Sequence, residues 1–330
     1  MPMSKRKNII TIAFYNVENL FDTVDNPKTA DDDFTPSSRR KWNARKYQQK
    51  IKQITDVIKQ IGSNQSAIPP VLIGLVEVEN AKVIKDLTHH KNISKYAYRY
   101  VHFDSPDERG IDVALLYNPA FFEVLSSDKF PLYLTDKEGE VDYTRDVLVV
   151  KGKLNNELIH VLVNHWPSRR DGEEETTENR IAAAKHVRKV LAEIKVKEAN
   201  PKFIIMGDFN DDPTSRSVRE FLVTDDLYNP MKPLFEKGKG TLTYYKKWHL
   251  FDQIIFSKDF FDIHKSKHRF LRAGILNKKW MRFYKGKFKN SPFRTYIGPW
   301  YQGGFSDHFP VYLTFIQNKI ASEKSIEIEK

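Results

Sequence analysis

Phe203-Ile204-Ile205-Met206-Gly207-Asp208-Phe209-Asn210 is the most informative stretch of this 330-residue chain. Its first half is a short apolar run with β-branched residues, the pattern of a strand buried on both faces. Its second half sets an acid and an amide where that strand must end. The same succession recurs four more times. Phe14-Tyr15-Asn16-Val17-Glu18 closes a run over 9–16, Gly74-Leu75-Val76-Glu77 closes 71–78, and Val163-Asn164-His165-Trp166-Pro167 closes 158–164. Ser306-Asp307-His308 stands directly before the last run, 311–316. One acid or amide after a strand is ordinary turn chemistry, because Asn and Asp favour turns. Five segments, all supplying hard oxygen donors or imidazole, predict strands that deliver their ends to one cleft.

Further strands are expected at 111–117, 147–153 and 250–257. Leu154-Asn155-Asn156-Glu157 between two runs reads as a hairpin turn, since Asn tolerates positive φ. Tyr47, Ile51, Ile54, Ile58 and Ile61 repeat at steps of three and four, which predicts a helix with one apolar face. A second helix is expected over about 178–196, with Ile181, Ala184, Val187, Val190, Leu191 and Ile194 inward and Asn200-Pro201 as its stop. A third is expected around 80–87. Strands interspersed with long helices and at least one hairpin imply mixed sheets covered by helices.

Composition narrows the chemistry. A hydrophobic fraction of 40% with 22 phenylalanines supports a large core. The chain has no cysteine, which excludes disulfides, thiolate metal sites and thiol nucleophiles. The basic start and short apolar run over 9–15 lack a signal core and cleavage site. No stretch approaches the roughly 20 apolar residues of a membrane span. A cytoplasmic protein is expected, with a monomer assumed.

Phosphodiester hydrolysis requires charge neutralisation on non-bridging oxygens, an activated water and support for the leaving alkoxide. Carboxylate and amide oxygens suit Mg2+ or Mn2+, and Glu77, Asp307 and Asn16 are the candidate ligands. An imidazole takes or gives a proton near neutral pH, and a buried carboxylate fixes its tautomer. His308 and His165 are the candidates here, with Asp252 as an orienting partner.

In this order the residues resemble the endonuclease/exonuclease/phosphatase superfamily, the deoxyribonuclease-I-like fold, over about 9–315. Gly207-Asp208-Phe209-Asn210 and Ser306-Asp307-His308-Phe309-Pro310 carry the resemblance most specifically. Val163-Asn164-His165-Trp166-Pro167-Ser168-Arg169 and Arg109-Gly110-Ile111-Asp112-Val113-Ala114 look like a bacterial branch. The resemblance implies an α/β (α+β) fold, a four-layer α-β-β-α sandwich of two mixed, largely antiparallel sheets with the site at one edge. One domain over 1–330 is expected, with its core at 9–316, a basic aromatic insertion at 263–305 and a charged tail at 317–330.

The resemblance also implies roles. Asn16 and Glu77 would hold or approach the metal, with Asp307 nearby. Asp208 would position or deprotonate the attacking water, and Asn210 would contact the scissile phosphate. His308, oriented by Asp252, would act on the phosphate or nucleophile, and His165 would assist the leaving group. Val76 stands where the family often has Gln. His165 and Leu250-Phe251 replace a Tyr and an Arg usual in abasic-site endonucleases, which disfavours dedicated abasic-site repair. Glu18 is expected to support the ligands from behind.

The net charge of +11 is localised. The 44 residues from 263 to 306 contain no Asp or Glu and eleven basic residues, so the remainder of the chain is balanced. Over 278–301 the charges alternate with aromatics, which suits phosphates and bases together. Lys278, Lys279, Arg282 and Lys285 are the expected substrate contacts, with Arg169 beside His165. A long insertion packed on its aromatics is the competing reading. Asp31-Asp32-Asp33 lacks the ligand spacing of a calcium loop, and Arg39-Arg40-Lys41 is expected to open the first helix.

The leading expectation is a divalent-metal-dependent phosphodiesterase, a nuclease acting on DNA or RNA. The alternatives are a phosphoesterase for a small substrate (an inositol phosphate, nucleotide or lipid headgroup) and an inactive nucleic-acid-binding module. The intact acid, Asn and His set argues against the last. The basic aromatic segment favours the first over the second.

Overall fold

The computed structural model describes residues 8–135, 139–170, 172–244 and 246–317. Apart from Gln317, the expected charged tail lies outside the described residues. In chain order the strands of the two large sheets are β1 (Ile9–Leu20), β2 (Leu72–Val78), β3 (Arg99–His102), β4 (Asp112–Tyr117), β5 (Phe122–Phe130) and β6 (Val147–Leu154). There follow β7 (Glu157–His165), β8 (Phe203–Asp208), β9 (Leu227–Tyr228), β10 (Asp252–Ser257), β11 (His268–Ile275) and β12 (Val311–Gln317). The first sheet has the order β11-β12-β1-β2-β4-β3 and the second β9-β10-β8-β7-β6-β5. Each holds one central parallel pair, β1 with β2 and β7 with β8, and is otherwise antiparallel. The expected mixed sheets are present.

Helices α1 (Ala44–Gln60) and α2 (Ala81–His89) cover the first sheet and α3 (Thr177–Lys197) the second. The expected apolar stripes on α1 and α3 are the buried ones. Asn43 and Asn80 cap α1 and α2 by accepting from the amides of Lys46 and Val83, satisfying donors the helix cannot. The expectation that Arg39-Arg40-Lys41 opens α1 is corrected. Arg40 instead pairs with Asp33 at 3.1 Å and stacks over Phe34, so the helix starts after the Asn43 cap. Asn155 and Asn156, at φ 43° and 63°, make the expected tight turn from β6 to β7.

Side chains alternate across a strand, and here the alternation sorts the layers. On β1, Ala13, Tyr15 and Val17 face α1, whereas Ile10, Ile12 and Phe14 face the second sheet. Val161 and Val163 of β7, Ile204 and Met206 of β8, and Ile254 and Phe256 of β10 meet them there. The outer face of the second sheet, with Leu162 and Ile205, packs on Ala184, Val187 and Leu191 of α3. The sheets come close enough that a β-carbon on Gly74 would stand 2.5 Å from Met206 Sδ. Within the second sheet, one on Gly207 would stand 2.6 Å from the backbone carbonyl oxygen of Asn164, so that position requires glycine.

A polar clamp ties the sheets at the end away from the cleft. Glu157, at the start of β7, accepts from His268 Nδ1 at 2.6 Å, Lys202 Nζ at 2.7 Å and Ser266 Oγ at 2.7 Å. Burial alone would raise the Glu157 pKa, but His268, Lys202 and Ser266 outweigh it and bring the carboxyl down to about 2. A depressed carboxylate pKa stabilises the fold above the unfolded value and loses that contribution as pH falls towards the folded one. Glu157→Gln should therefore cost about 3 kcal/mol at neutral pH. It should also flatten the fall of stability between pH 4.5 and about 2. Urea unfolding across that range checks this, and parallel curves for the two proteins would refute it.

Candidate active site

The alternation that sorts the core also aims the polar residues. Asp208 continues the inward row of Ile204 and Met206, and His165 continues Val161 and Val163. Asp252 continues the row of Ile254 and Phe256. Asp208 is in register with His165 on one side and Asp252 on the other, so the three cross the second sheet side by side. Asn16 continues the inward row of β1 from the opposite sheet. Its Nδ2 donates to Asp208 Oδ2 and to Glu77 Oε1, each at 3.0 Å. Its Oδ1 accepts from the Glu18 amide at 2.9 Å.

Glu77 is out of step with this row and is turned by a bulge. It has φ 63°, and the register against β4 shifts between Val76 and Val78. β1 breaks register beside it, with Glu18 and Asn19 both at φ 51°. Bulges of this kind re-aim a side chain at the end of a strand. The Asn19 amide then donates to Glu77 Oε2 at 2.9 Å.

His308 reaches over from the segment before β12, and its Nδ1 donates to Asp252 Oδ2 at 2.7 Å. Its Nε2 lies 3.9 Å from Asp208 Oδ2, the same distance as His165 Nε2. Both gaps exceed hydrogen-bond range, so the three groups are free to share another partner. Burial works against a charge on His308, but Asp252, Asp208 and Asp307 hold its pKa well above the ordinary value. Burial, reinforced by Arg145, Arg109 and His308, lowers His165 well below it. Burial pushes Asp208 up to about 6 although His308 opposes it. At neutral pH the site therefore holds a neutral imidazole, an imidazolium and a carboxylate side by side. His165 Nδ1 and Asp252 Oδ1 are buried without a hydrogen-bond partner.

Asp307 and Glu18 form a second carboxylate group bridged by Arg294. Arg294 Nη2 donates to Asp307 Oδ2 at 2.7 Å and Nε to Glu18 Oε1 at 3.2 Å. Lys50 of α1, almost wholly buried, stands behind them. Its Nζ is 3.7 Å from Glu18 and donates to Thr295 Oγ1 and the Phe305 carbonyl. Glu77, Asp307 and Glu18 thus offer carboxylate oxygens from three segments near Asn16, a donor set that suits an oxygen-seeking divalent cation. Asp208, Asp252 and His308, unlike those three carboxylates, bring potential ligand atoms within 4.8 Å of one another.

Asn210, at φ 49°, donates from Nδ2 to the Trp166 carbonyl at 2.9 Å, and its amide donates to Asp208 Oδ1. Arg169 is engaged by protein: it pairs with Asp211 and Glu173 at 2.6 Å each and donates to the Asn210 carbonyl at 2.7 Å. Arg282 is held by Asn277, Lys278 lies beside the end of α1, and Lys279 and Lys285 are exposed. The expected substrate contacts are therefore spread along the insertion. The sequence alone gives no role in the site to Lys50, Arg145, Arg294 or Arg109, although Arg109 opens one of the motifs that carry the resemblance. Lys50 carried a signal, as a lysine three residues from Tyr47 on the apolar stripe of α1. Arg145, buried, pairs with Asp107 at 2.8 Å and donates to the Trp166 carbonyl at 2.7 Å. Arg109, beside the same Asp107, is exposed enough to meet a substrate.

The sequence pattern of the endonuclease/exonuclease/phosphatase family matches residues 11–317. No curated protein sequence matches the chain significantly. The fold is similar to that of D. rerio TDP2 complexed with a single-strand DNA product, at 14% identity and TM-score 0.57, covering 94% of this chain and 99% of that one. It is similar to the Bacteroides thetaiotaomicron mannosyl-6-phosphatase Bt3783, at 17% identity and TM-score 0.55, covering 93% and 99%. The human Nocturnin catalytic domain with bound sulfate gives 16% identity and TM-score 0.58 over 94% and 96%. With the family pattern spanning both sheets and the cleft they share, the chain belongs to the endonuclease/exonuclease/phosphatase family, whose members are metal-dependent phosphoesterases.

Proposed function

We propose that this protein is a phosphodiesterase acting on nucleic acid. The observation that carries the reading is the seating of Asp208 between Asn16 of one sheet and the two imidazoles of His165 and His308. Above about pH 6 Asp208 is ionised and serves as the base for an attacking water. The charged His308, fixed by Asp252, donates to a non-bridging oxygen where negative charge grows. His165, neutral, stands beside the same carboxylate and supports the leaving oxygen. Asn210 contacts the scissile phosphate, and Arg109 meets a neighbouring phosphate. Glu77 and Asp307, with Asn16 and Glu18 as their support, would hold a magnesium or manganese ion. Such an ion supplies charge neutralisation on the phosphate.

The single-strand DNA product in D. rerio TDP2 and the local positive charge of this chain favour nucleic acid. The mannosyl-6-phosphatase similarity favours a second reading, hydrolysis of a small phosphate ester by the same residues.

A panel of plasmid DNA, single-stranded RNA, bis-p-nitrophenyl phosphate and inositol phosphates, with magnesium, manganese or chelator, separates the two. The expected outcome is metal-dependent cleavage of nucleic acid; turnover confined to small esters would select the second reading. Asp208→Asn and His308→Ala should each lower the rate at least a hundredfold, the scale of losing acid–base help in the transition state. Their circular dichroism should be unchanged. Near-normal activity in either would remove that residue from the mechanism. Arg294 shares Asp307 with any incoming ion, so Arg294→Ala should show a larger magnesium-induced rise in Tm than wild type. Equal rises would show that guanidinium and ion do not compete.

A further inference from the structure

Beside the catalytic row lies a cleft of about 700 Å³ between two parts of the chain. One wall is the hairpin of Leu242–Tyr244 and Lys247–His249, and the other is the stretch 287–291 inside the basic insertion. Trp248 lines it and stacks on Phe309, the residue after His308, with ring centroids 6.0 Å apart. The Phe309 amide donates to the Thr241 carbonyl at the foot of the hairpin, at 2.8 Å. The cleft is therefore packed, through Trp248, against the residue that follows His308 in the chain. Phe288, 39% exposed, lines the cleft with Trp248. Lys246, Lys287 and Lys289 line it as well and are exposed. Among the described residues none of these three lysines forms an ion pair with a carboxylate.

We infer that this cleft binds single-stranded nucleic acid next to the scissile phosphate, with a base stacked on Trp248 or Phe288 and phosphates on the lysines. Every base offers a π-face, so aromatic walls with cationic rims take single strands without regard to sequence. A duplex buries those faces in its own stack. An inositol phosphate or a sugar phosphate supplies the charge but no planar π-face. The inference rests on the phosphodiesterase reading for its purpose, but the binding can be measured without catalysis.

Fluorescence anisotropy of a labelled single-stranded oligonucleotide, with chelator present, reads the cleft alone. Trp248 also braces Phe309, so surface variants are the informative ones. Combined Lys246→Ala, Lys287→Ala and Lys289→Ala should weaken binding at least tenfold at low salt. The slope of log affinity against log salt should become shallower by about two, the share of three phosphates on a single strand. Phe288→Ala should weaken binding about tenfold, the scale of one stacked base. Unchanged affinity and slope in both variants would overturn the inference, as would wild-type protein that binds inositol hexakisphosphate but not the oligonucleotide. Hydrolysis of bis-p-nitrophenyl phosphate by the wild type is measured in parallel. Failure of that reaction with cleft-dependent strand binding intact would remove the catalytic reading and leave the cleft standing.

Discussion

One carboxamide joins the two halves of the site. Asn16 is wholly buried, and its Nδ2 spans the gap between Glu77 in its own sheet and Asp208 in the other. Two donor hydrogens and one acceptor oxygen are all that the group offers. Nδ2 meets two carboxylates while Oδ1 accepts from Glu18. The spacing of the sheets at this edge is thereby tied to the spacing of Glu77 and Asp208. A sandwich that slid or opened by an ångström would break the bridge before it disturbed the core.

The rest of the molecule keeps that edge in place. The inter-sheet apolar layer fills the space below the bridge, and Glu157 with His268 clamps the opposite end. The central parallel pairs put the ends of β1, β2, β7 and β8 at the same edge, and antiparallel β10 begins there. His308 arrives from the turn into β12, where Ser306 Oγ donates to the Asn16 carbonyl at 2.7 Å. The basic insertion is joined to this centre by Arg294, whose guanidinium spans Glu18 and Asp307. Charge on the insertion and charge in the cleft therefore belong to one electrostatic system.

Much of this was legible in the sequence, and the pattern of what was not has a physical cause. All eight interior strands announce themselves as apolar runs. The four edge strands β3, β5, β9 and β11 do not, because they are short or carry exposed polar residues, as edges that must resist further pairing do. Asn16, Glu77, His165, Asp208, Asn210, Asp252, Asp307 and His308 are all legible, since each stands at or beside the end of a buried run. Their convergence in space is seen in the folded chain. Nothing local marks the bulge that turns Glu77, and the pairing of Glu18 with Arg294 joins residues too far apart in sequence to be read. The aromatics of the insertion serve both readings: Tyr296 is core, while Phe288 and Trp300 face outward.

The proposed cation site at Glu77 and Asp307 is distinct from the trio of Asp208, Asp252 and His308 proposed to handle protons. Diffraction near the manganese absorption edge, from crystals soaked in Mn2+, tests it directly. An anomalous peak is expected in contact with Glu77 and Asp307, with none within bonding distance of His308. A peak enclosed by Asp208, Asp252 and His308, with Glu77 bare, would contradict it.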